Sequence, residues 1–354
     1  MKRILKLIGS RLMRLYSKFD PLAFQKHYAA KTLRTKRQYV NFEQLDGDSA
    51  KRVKKLWGRK NPWHSFYYTI GNKSVAHLYY PDDWFYERVD SRLNDWKIAP
   101  VIDDKNLYDL FFYDVPHPRV IARLVGGMYE DSNYNIISFE EVIRLCEEEG
   151  KVIVKVPFGS SGGHGIKFWS KDTGKSLVEI LSSMKTFVIQ EIVTQHEALS
   201  YLHPNSLNTV RVMTMTDGVE VKALSAIVRM GVGDSKVDNV SSGGIACGVN
   251  IDGSLKNYAF DGKGRRYDVH PQGAHFEDIV IPHFGTCIEL CKKLAPRVAR
   301  FSKLISWDFA IDADAQPLLI EANLYGGELD FHQMCNGPIF GDEETTKQMI
   351  KRFV

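Results

Sequence analysis

Two acids near the C-terminal end limit the architecture more than any other feature of the chain. Asp308 and Glu321 stand 13 residues apart, flanked by Trp307, Phe309, Leu319 and Ile320, and the residues between them turn polar and small around Asp312-Ala313-Asp314-Ala315. Apolar runs either side of a polar turn make an antiparallel hairpin. Centred between Asp314 and Ala315, the hairpin sets Asp308 directly opposite Glu321, with opposed Cβ atoms about 4.5–5.5 Å apart. Asn323 shares their face, because side chains alternate along a strand. Two like charges so placed repel unless something neutralises them. Magnesium does so, taking a few carboxylate oxygens together with phosphate oxygens of a substrate. Asp308, Glu321 and Asn323 are therefore the expected metal ligands; the plain alternative is a register slip that turns one acid to solvent.

Two further motifs suit phosphate and acid chemistry. Lys151-Val152-Ile153-Val154-Lys155-Val156 reads as a strand, Phe158–Gly165 as a glycine-rich loop and Ile166–Trp169 as the strand that leaves it. The loop is neither a Walker A motif nor a dinucleotide fingerprint, since both of those open a helix. A glycine hairpin can instead fold over a triphosphate and donate backbone N–H groups, with the Lys155 ammonium beside it. In a second hairpin, Val210–Thr216 and Val219–Val228 meet at Asp217-Gly218, a strong two-residue turn signal. That register opposes Arg211 to Leu224 and places Lys222 diagonally on the same face. Two cations there suit an acidic substrate or a transferring phosphoryl group, although a solvated β surface reads equally well. Arg229 falls on the other face and joins them only through a bulge.

The 354 residues suffice for two or three subdomains. Residues 1–57 read as a solvated, basic helical arm, with Lys31, Arg34, Lys36, Arg37, Lys51, Arg52, Lys54 and Lys55. Its first nineteen residues form a basic amphipathic helix, suited to packing on its own protein or to peripheral contact with an anionic membrane face. Residues 58–130 read as a small α/β subdomain, 131–200 as a lid with the glycine loop, and 201–354 as a catalytic subdomain. A net charge of +4 fits phosphate ligands and does not argue for nucleic acid. Five scattered cysteines argue against a disulfide framework and favour a reducing cytoplasm; Cys287 and Cys291 read as core packing.

The order and spacing of these parts resemble ATP-grasp enzymes: a strand lysine before a glycine hairpin, Gln190-Glu191 closing a strand, then Asp308, twelve residues, Glu321 and Asn323. More narrowly, Ile102-Asp103-Asp104-Lys105, Ser206-Leu207-Asn208-Thr209-Val210-Arg211 and Asn239 with Gly243-Gly244 resemble the sugar-transfer-associated ATP-grasp family, over roughly residues 40–345. The resemblance implies an α+β ATP-grasp fold, two α/β subdomains gripping ATP, with the N-terminal helices as an extension. It implies Lys105 and Lys155 on the ATP phosphates and Ser160, Ser161, Gly162, Gly163, His164 and Gly165 closed over them. Glu191 with the backbone of Ile192 and Val193 would hold adenine, Gln195–Glu197 would approach the ribose, and Gln190, His196 and Asn208 complete the nucleotide set. Asp308, Glu321 and Asn323 would ligate two magnesium ions, and Arg211 would steady the carboxylate and its acyl phosphate. Many ATP-grasp ligases carry an arginine two residues before the magnesium aspartate; here that position is Ser306, so the charge falls to Arg211 or Arg229.

The implied reaction is ATP-dependent carboxylate–amine ligation through an acyl phosphate, on a cell-surface polysaccharide or its sugar precursor. A kinase acting on a sugar or small-molecule hydroxyl, and a non-catalytic nucleotide-binding scaffold for glycan assembly, are the alternatives.

Overall fold

The computed structural model describes residues 21–158 and 165–353. The expected amphipathic helix at the start of the chain and Gly159–His164 of the glycine loop lie outside them.

The N-terminal part is helical. It comprises α1 (Pro21–Tyr39), α2 (Gly47–Trp57) and α3 (Pro62–Ile70), then short helical turns up to Phe111. The helices begin and end where their residues require. The Asp46 carboxylate accepts the Ser49 N–H at 2.7 Å to start α2, and Gly58 ends it at φ +74°. In α3, Asn61 and His64 form reciprocal bonds between side chain and backbone. Their apolar faces build an aromatic core from Trp63, Phe66, Tyr67, Tyr79, Tyr80 and Trp84. Among the described residues the first strand starts only at Val120, so residues 62–111 carry no sheet of their own, unlike the α/β expectation for 58–130.

The arm is also less solvated than its charge suggests. Lys36 is fully buried, with its ammonium 2.9 Å from Asp330 and 5.3 Å from the ring centres of both Phe66 and Phe331. A carboxylate and two aromatic faces replace the water it loses. Lys31, Arg34, Arg37, Lys51, Lys54 and Lys55 stay exposed.

Two antiparallel sheets follow. The first combines β1 (Val120–Val125), β2 (Met128–Asp131), β3 (Ile136–Ile137), β4 (Lys151–Lys155), β5 (Lys167–Ser170) and β6 (Phe187–Glu191), in the order β3-β2-β1-β6-β4-β5. It is covered by α4 (Phe139–Glu149), capped by Ser138 and stopped at Gly150, and by α5 (Leu177–Ser182). Because β1 pairs with β6, this sheet draws on both sides of residue 130.

After α6 (Glu197–Leu202) comes the second sheet, ordered β11-β10-β9-β8-β7-β12-β13. Its strands are β7 (Thr209–Thr216), β8 (Val221–Met230), β9 (Ile245–Val249), β10 (Leu255–Asp261), β11 (Arg266–Tyr267), β12 (Leu304–Ile311) and β13 (Pro317–Asn323). One face packs on α7 (Phe284–Val298), where Cys287 and Cys291 are core residues. The other packs on α8 (Leu329–Asn336) and the aromatic helical region. The last helix, α9, is Glu343–Phe353. Among the described residues no helix is long and apolar enough to cross a membrane.

Removing one partner of a buried pair strands the other charge. Lys36→Met is expected to lower the unfolding free energy by about 3–5 kcal/mol in a denaturant titration, and Lys36→Met with Asp330→Leu by much less. Equal losses from the single and double substitutions would show that the pairing is not what matters.

Candidate functional site

The β12–β13 hairpin brings the two acids together by two opposing offsets. Asp312 and Gln316 close a three-residue loop with Ala315 at φ +64°, and the Asp312 carboxylate accepts the N–H groups of Asp314 at 3.0 Å and Gln316 at 2.7 Å. The first pairs are Ile311 with Pro317 and Phe309 with Leu319. Ile320 then bulges, and the pairs beyond it are Asp308 with Glu321 and Ser306 with Asn323. The Asn323 amide donates to Asp308 at 3.2 Å and to the Ser306 carbonyl at 3.1 Å. Its amino group is thereby committed, and its carbonyl oxygen is the donor it can offer a cation.

The β7–β8 hairpin departs from the expected register. The Asp217 carboxylate accepts the N–H groups of both Val219 and Glu220 at 2.9 Å, and the Thr216 hydroxyl donates to the Glu220 carbonyl at 2.7 Å. Thr216 consequently pairs with Val221, across a four-residue loop. Leu224 bulges as well, so Arg211 pairs with Ile227 and Thr209 with Arg229. The two offsets sum to an odd number, and an odd slip exchanges the faces of a strand. Arg229 therefore joins Arg211 on the site face. Lys222, which precedes the bulge, keeps that face but pairs with Met215, four residues along β7 from Arg211, and its side chain is 62% exposed beside Glu220.

Both arginines converge on Asp308. Arg211 grips the carboxylate with two bonds of 2.7 and 2.8 Å and extends its third nitrogen to Glu328. Arg229 donates to Asp308 at 3.0 Å and to the Thr209 hydroxyl at 3.1 and 2.8 Å, and it lies 3.4 Å from Asp238. Burial alone would raise the Asp308 pKa, but the arginines outweigh it and hold the carboxyl below its usual range. The position two residues earlier has no room for a further arginine. Ser306 is buried, and even a Cβ placed on Gly327 would meet its hydroxyl at 2.3 Å.

Lys105 sits on Glu321 at 2.6 Å, placed there by its own N–H, which donates to the Pro157 carbonyl just past β4. Burial opposes the charged state of each, yet the attraction between them lowers the Glu321 pKa and raises that of Lys105. Among the described residues Lys155 has no such acidic partner. It donates to the Gln190 amide oxygen at 2.9 Å, and burial, with Lys105 nearby, drives its pKa down to about 8.

These groups bound one end of a cavity of about 320 Å³ between the two sheets. Lys105, Lys155, Glu191, Ile192, Val193, Gln195, Arg229, Asp308 and Glu321 line it, with the apolar wall Ile153, Ile166 and Phe168 opposite. That size, with an apolar slot ending in convergent charge, suits a nucleotide. Gln190 acts through Lys155, and the Glu191 carboxylate accepts the Arg119 N–H at 2.9 Å. Gly165, the described end of the glycine loop, has φ +85°, and a Cβ there would strike Val156 at 2.5 Å.

Two expected nucleotide contacts are instead scaffold. The His196 ring caps α6, accepting the Ala198 N–H at 3.1 Å. Asn208 is fully buried, its amide donating to the carbonyls of Leu199 and His203 at 2.8 Å. Neither lines the cavity. Asp238 and Glu328, absent from the sequence reading, both bond into the arginine network. Each sits in a segment without periodicity, where a lone acid carries no local signal.

The residues present fit a magnesium ion carried by substrate phosphate. Among the described residues there is no cluster of three or more His, Cys, Asp or Glu able to hold a metal without help. Magnesium needs only one or two carboxylates when phosphates complete its shell. Three of the four bonds to the Asp308 carboxylate from described residues, one each from Arg211, Arg229 and Asn323, fall on Oδ2, so Oδ1, which accepts only from Arg211, keeps a lone pair for a cation.

A family model described as sugar-transfer associated ATP-grasp matches residues 85–348. No curated protein matches the chain. Solved structures with a similar fold include the ATP-grasp ligase PsnB complexed with minimal precursor, at 15% identity over 73% of this chain and 63% of that one, TM-score 0.40. The biotin carboxylase domain of the Hydrogenobacter thermophilus 2-oxoglutarate carboxylase is 14% identical over 72% and 46%, TM-score 0.43. The D-alanine–D-alanine ligase from Bacillus anthracis is 16% identical over 70% and 68%, TM-score 0.36. The chain thus matches less than two thirds of the length of the first two.

The lowered pKa of Lys155 gives a pH dependence with a definite sign. The ammonium is lost as pH rises through about 8, so ADP affinity is expected to fall above that pH in a calorimetric titration. Lys155→Arg, charged throughout, should remove the decline; an unchanged decline would assign it to another group.

Proposed function

The chain belongs to the sugar-transfer associated ATP-grasp family, and from that premise we propose that it is an ATP-dependent carboxylate–amine ligase working through an acyl phosphate. The observation that carries the reading is the meeting of Asp308, Glu321 and Asn323 with Lys105, Lys155, Arg211 and Arg229 at one end of a nucleotide-sized cavity.

Adenine takes the apolar slot between Ile153, Phe168 and the Ile192–Val193 backbone, and the triphosphate runs toward Lys155 and Lys105. Asp308, Glu321 and Asn323 would hold magnesium, two ions on this reading, which would neutralise and orient the phosphates. Lys105 then exchanges Glu321 for phosphate oxygen, a short move for a flexible side chain. Arg211 and Arg229 steady the substrate carboxylate and the oxygens of the transferring group. An oxygen of that carboxylate forms a bond to the γ-phosphorus as the bond to ADP breaks. The amine nitrogen then bonds to the acyl carbon, phosphate leaves with the C–O electron pair, and the proton lost by the nitrogen passes to the departing phosphate. Acceleration comes from positioning and charge complementarity, so no protein nucleophile is required.

The family description points to sugars. A uronic acid, whether in a surface polysaccharide or its precursor, supplies a carboxylate of that class, and an amino acid supplies the amine. The test is ADP release screened over uronic-acid sugars and amino acids, with detection of amide product. Asp308→Asn and Glu321→Gln are each expected to lower kcat by about 100-fold or more, with melting curves confirming that the proteins are folded. Phosphorylated sugar formed without any amine would contradict the ligase.

A further inference from the structure

A second cavity, of about 580 Å³, begins where the arginine network ends. The nucleotide cavity is lined by Arg229 and Asp308, Asp308 is gripped by Arg211, and Arg211 reaches Glu328, which lines the second cavity. One continuous chain of alternating charge therefore joins the two. Gly244 on the wall of the second cavity packs against the carbonyl of Asp238, a residue of the first; a Cβ there would meet it at 2.6 Å. The opposite wall is α1, through Tyr28, Lys31 and Thr32. That helix precedes the region matched by the family model, so this wall is supplied by the chain's own N-terminal extension.

The charges in this cleft are unevenly committed. Asp330 is taken by Lys36, and Asp261 by Arg265 at 2.7 Å. Among the described residues the Glu328 carboxylate pairs with Arg211 through one oxygen, and Glu328 adopts a left-handed backbone with φ +58°, a strain that collects at functional positions. Lys31, exposed, and Lys263, half-buried with its ammonium 4.7 Å from the Tyr39 ring centre, line the same cleft. Glu328 repels a carboxylate and attracts an ammonium, while Lys31 and Lys263 attract an anion.

We propose that this cleft is the site for the amine substrate, and that the substrate is an amine carrying its own anionic group, with its ammonium on Glu328 and its anion toward Lys31 and Lys263. The assignment rests on the ligase reading, which requires an amine beside the acyl phosphate at Arg211. An amino-acid carboxylate and an amino-sugar phosphate present the same chemistry.

The full chain saturated with Mg-ADP is titrated with the standard amino acids, with glucosamine 6-phosphate, and with methylamine as an amine lacking an anion. Saturable binding of the first or the second probe set is expected, which distinguishes the two sources. It should be about ten-fold tighter than methylamine, and weakened about ten-fold by Lys31→Ala or Glu328→Gln. Lys31 is exposed on α1, so Lys31→Ala should fold normally and leave ADP affinity unchanged, with Lys263→Ala as a second variant. No saturable binding of either set, methylamine binding as tightly, or indifference to the substitutions overturns the proposal. Binding that follows this pattern without amine-dependent ADP release from ATP overturns the ligase reading and leaves the cleft's ligand class standing.

Discussion

Asp308 is the residue through which the rest of the site is arranged. A carboxylate with no exposure on the penultimate strand of a seven-stranded sheet is costly unless its charge is matched. The bidentate grip of Arg211 and the third bond from Arg229 match it, and those arginines are themselves buried and need it in return. From that centre the network runs outward to Glu328 and Asp238. Nearby, Glu321 is balanced by Lys105. Acidic Asp238, Asp308, Glu321 and Glu328 face basic Lys105, Lys155, Arg211 and Arg229. Adding a metal cation together with nucleotide phosphates therefore exchanges partners within a balanced set rather than creating a large unmatched charge.

How much of this the sequence revealed depended on the parity of local offsets. In the β12–β13 hairpin the three-residue loop shifts the pairing by one and the Ile320 bulge shifts it back, so ideal arithmetic placed Asp308 opposite Glu321. In β7–β8 the loop and the Leu224 bulge shift the pairing in the same sense, by an odd total, and the arithmetic chose Lys222 over Arg229. The cause lies in side chains: the Asp217 carboxylate holds two N–H groups beyond Gly218 and lengthens a turn whose Asp-Gly pair signalled two residues. Motif position misled in another way. Asn208 and His196 stand among site residues in sequence, yet both spend their polar atoms on the backbone that holds the site's loops. The capped helix α4 and the lid strands were legible because their signals are local.

The helical extension shows why charge composition is a weak guide to placement. Lys36 and Lys31 lie five residues apart on α1, and both read as solvated from sequence. Lys36 turns inward to Asp330 and anchors the helix, whereas Lys31 stays exposed and lines the second cavity. The buried pair fixes how α1 lies against Glu328 and Asp330, and so shapes the cleft beside Arg211. Ser306 fits the same picture: with Gly327 packed on its hydroxyl, arginine charge reaches Asp308 from β7 and β8 instead of from β12.

Activation of a carboxylate by phosphoryl transfer leaves a mark that no hydroxyl kinase or passive nucleotide binder leaves. With the substrate carboxylate labelled by a heavy oxygen isotope, ligation through an acyl phosphate delivers one labelled oxygen into the inorganic phosphate released. Mass spectrometry of that phosphate is therefore the most direct measurement. A single labelled oxygen in each phosphate is the predicted result, and unlabelled phosphate during amide formation would contradict the account.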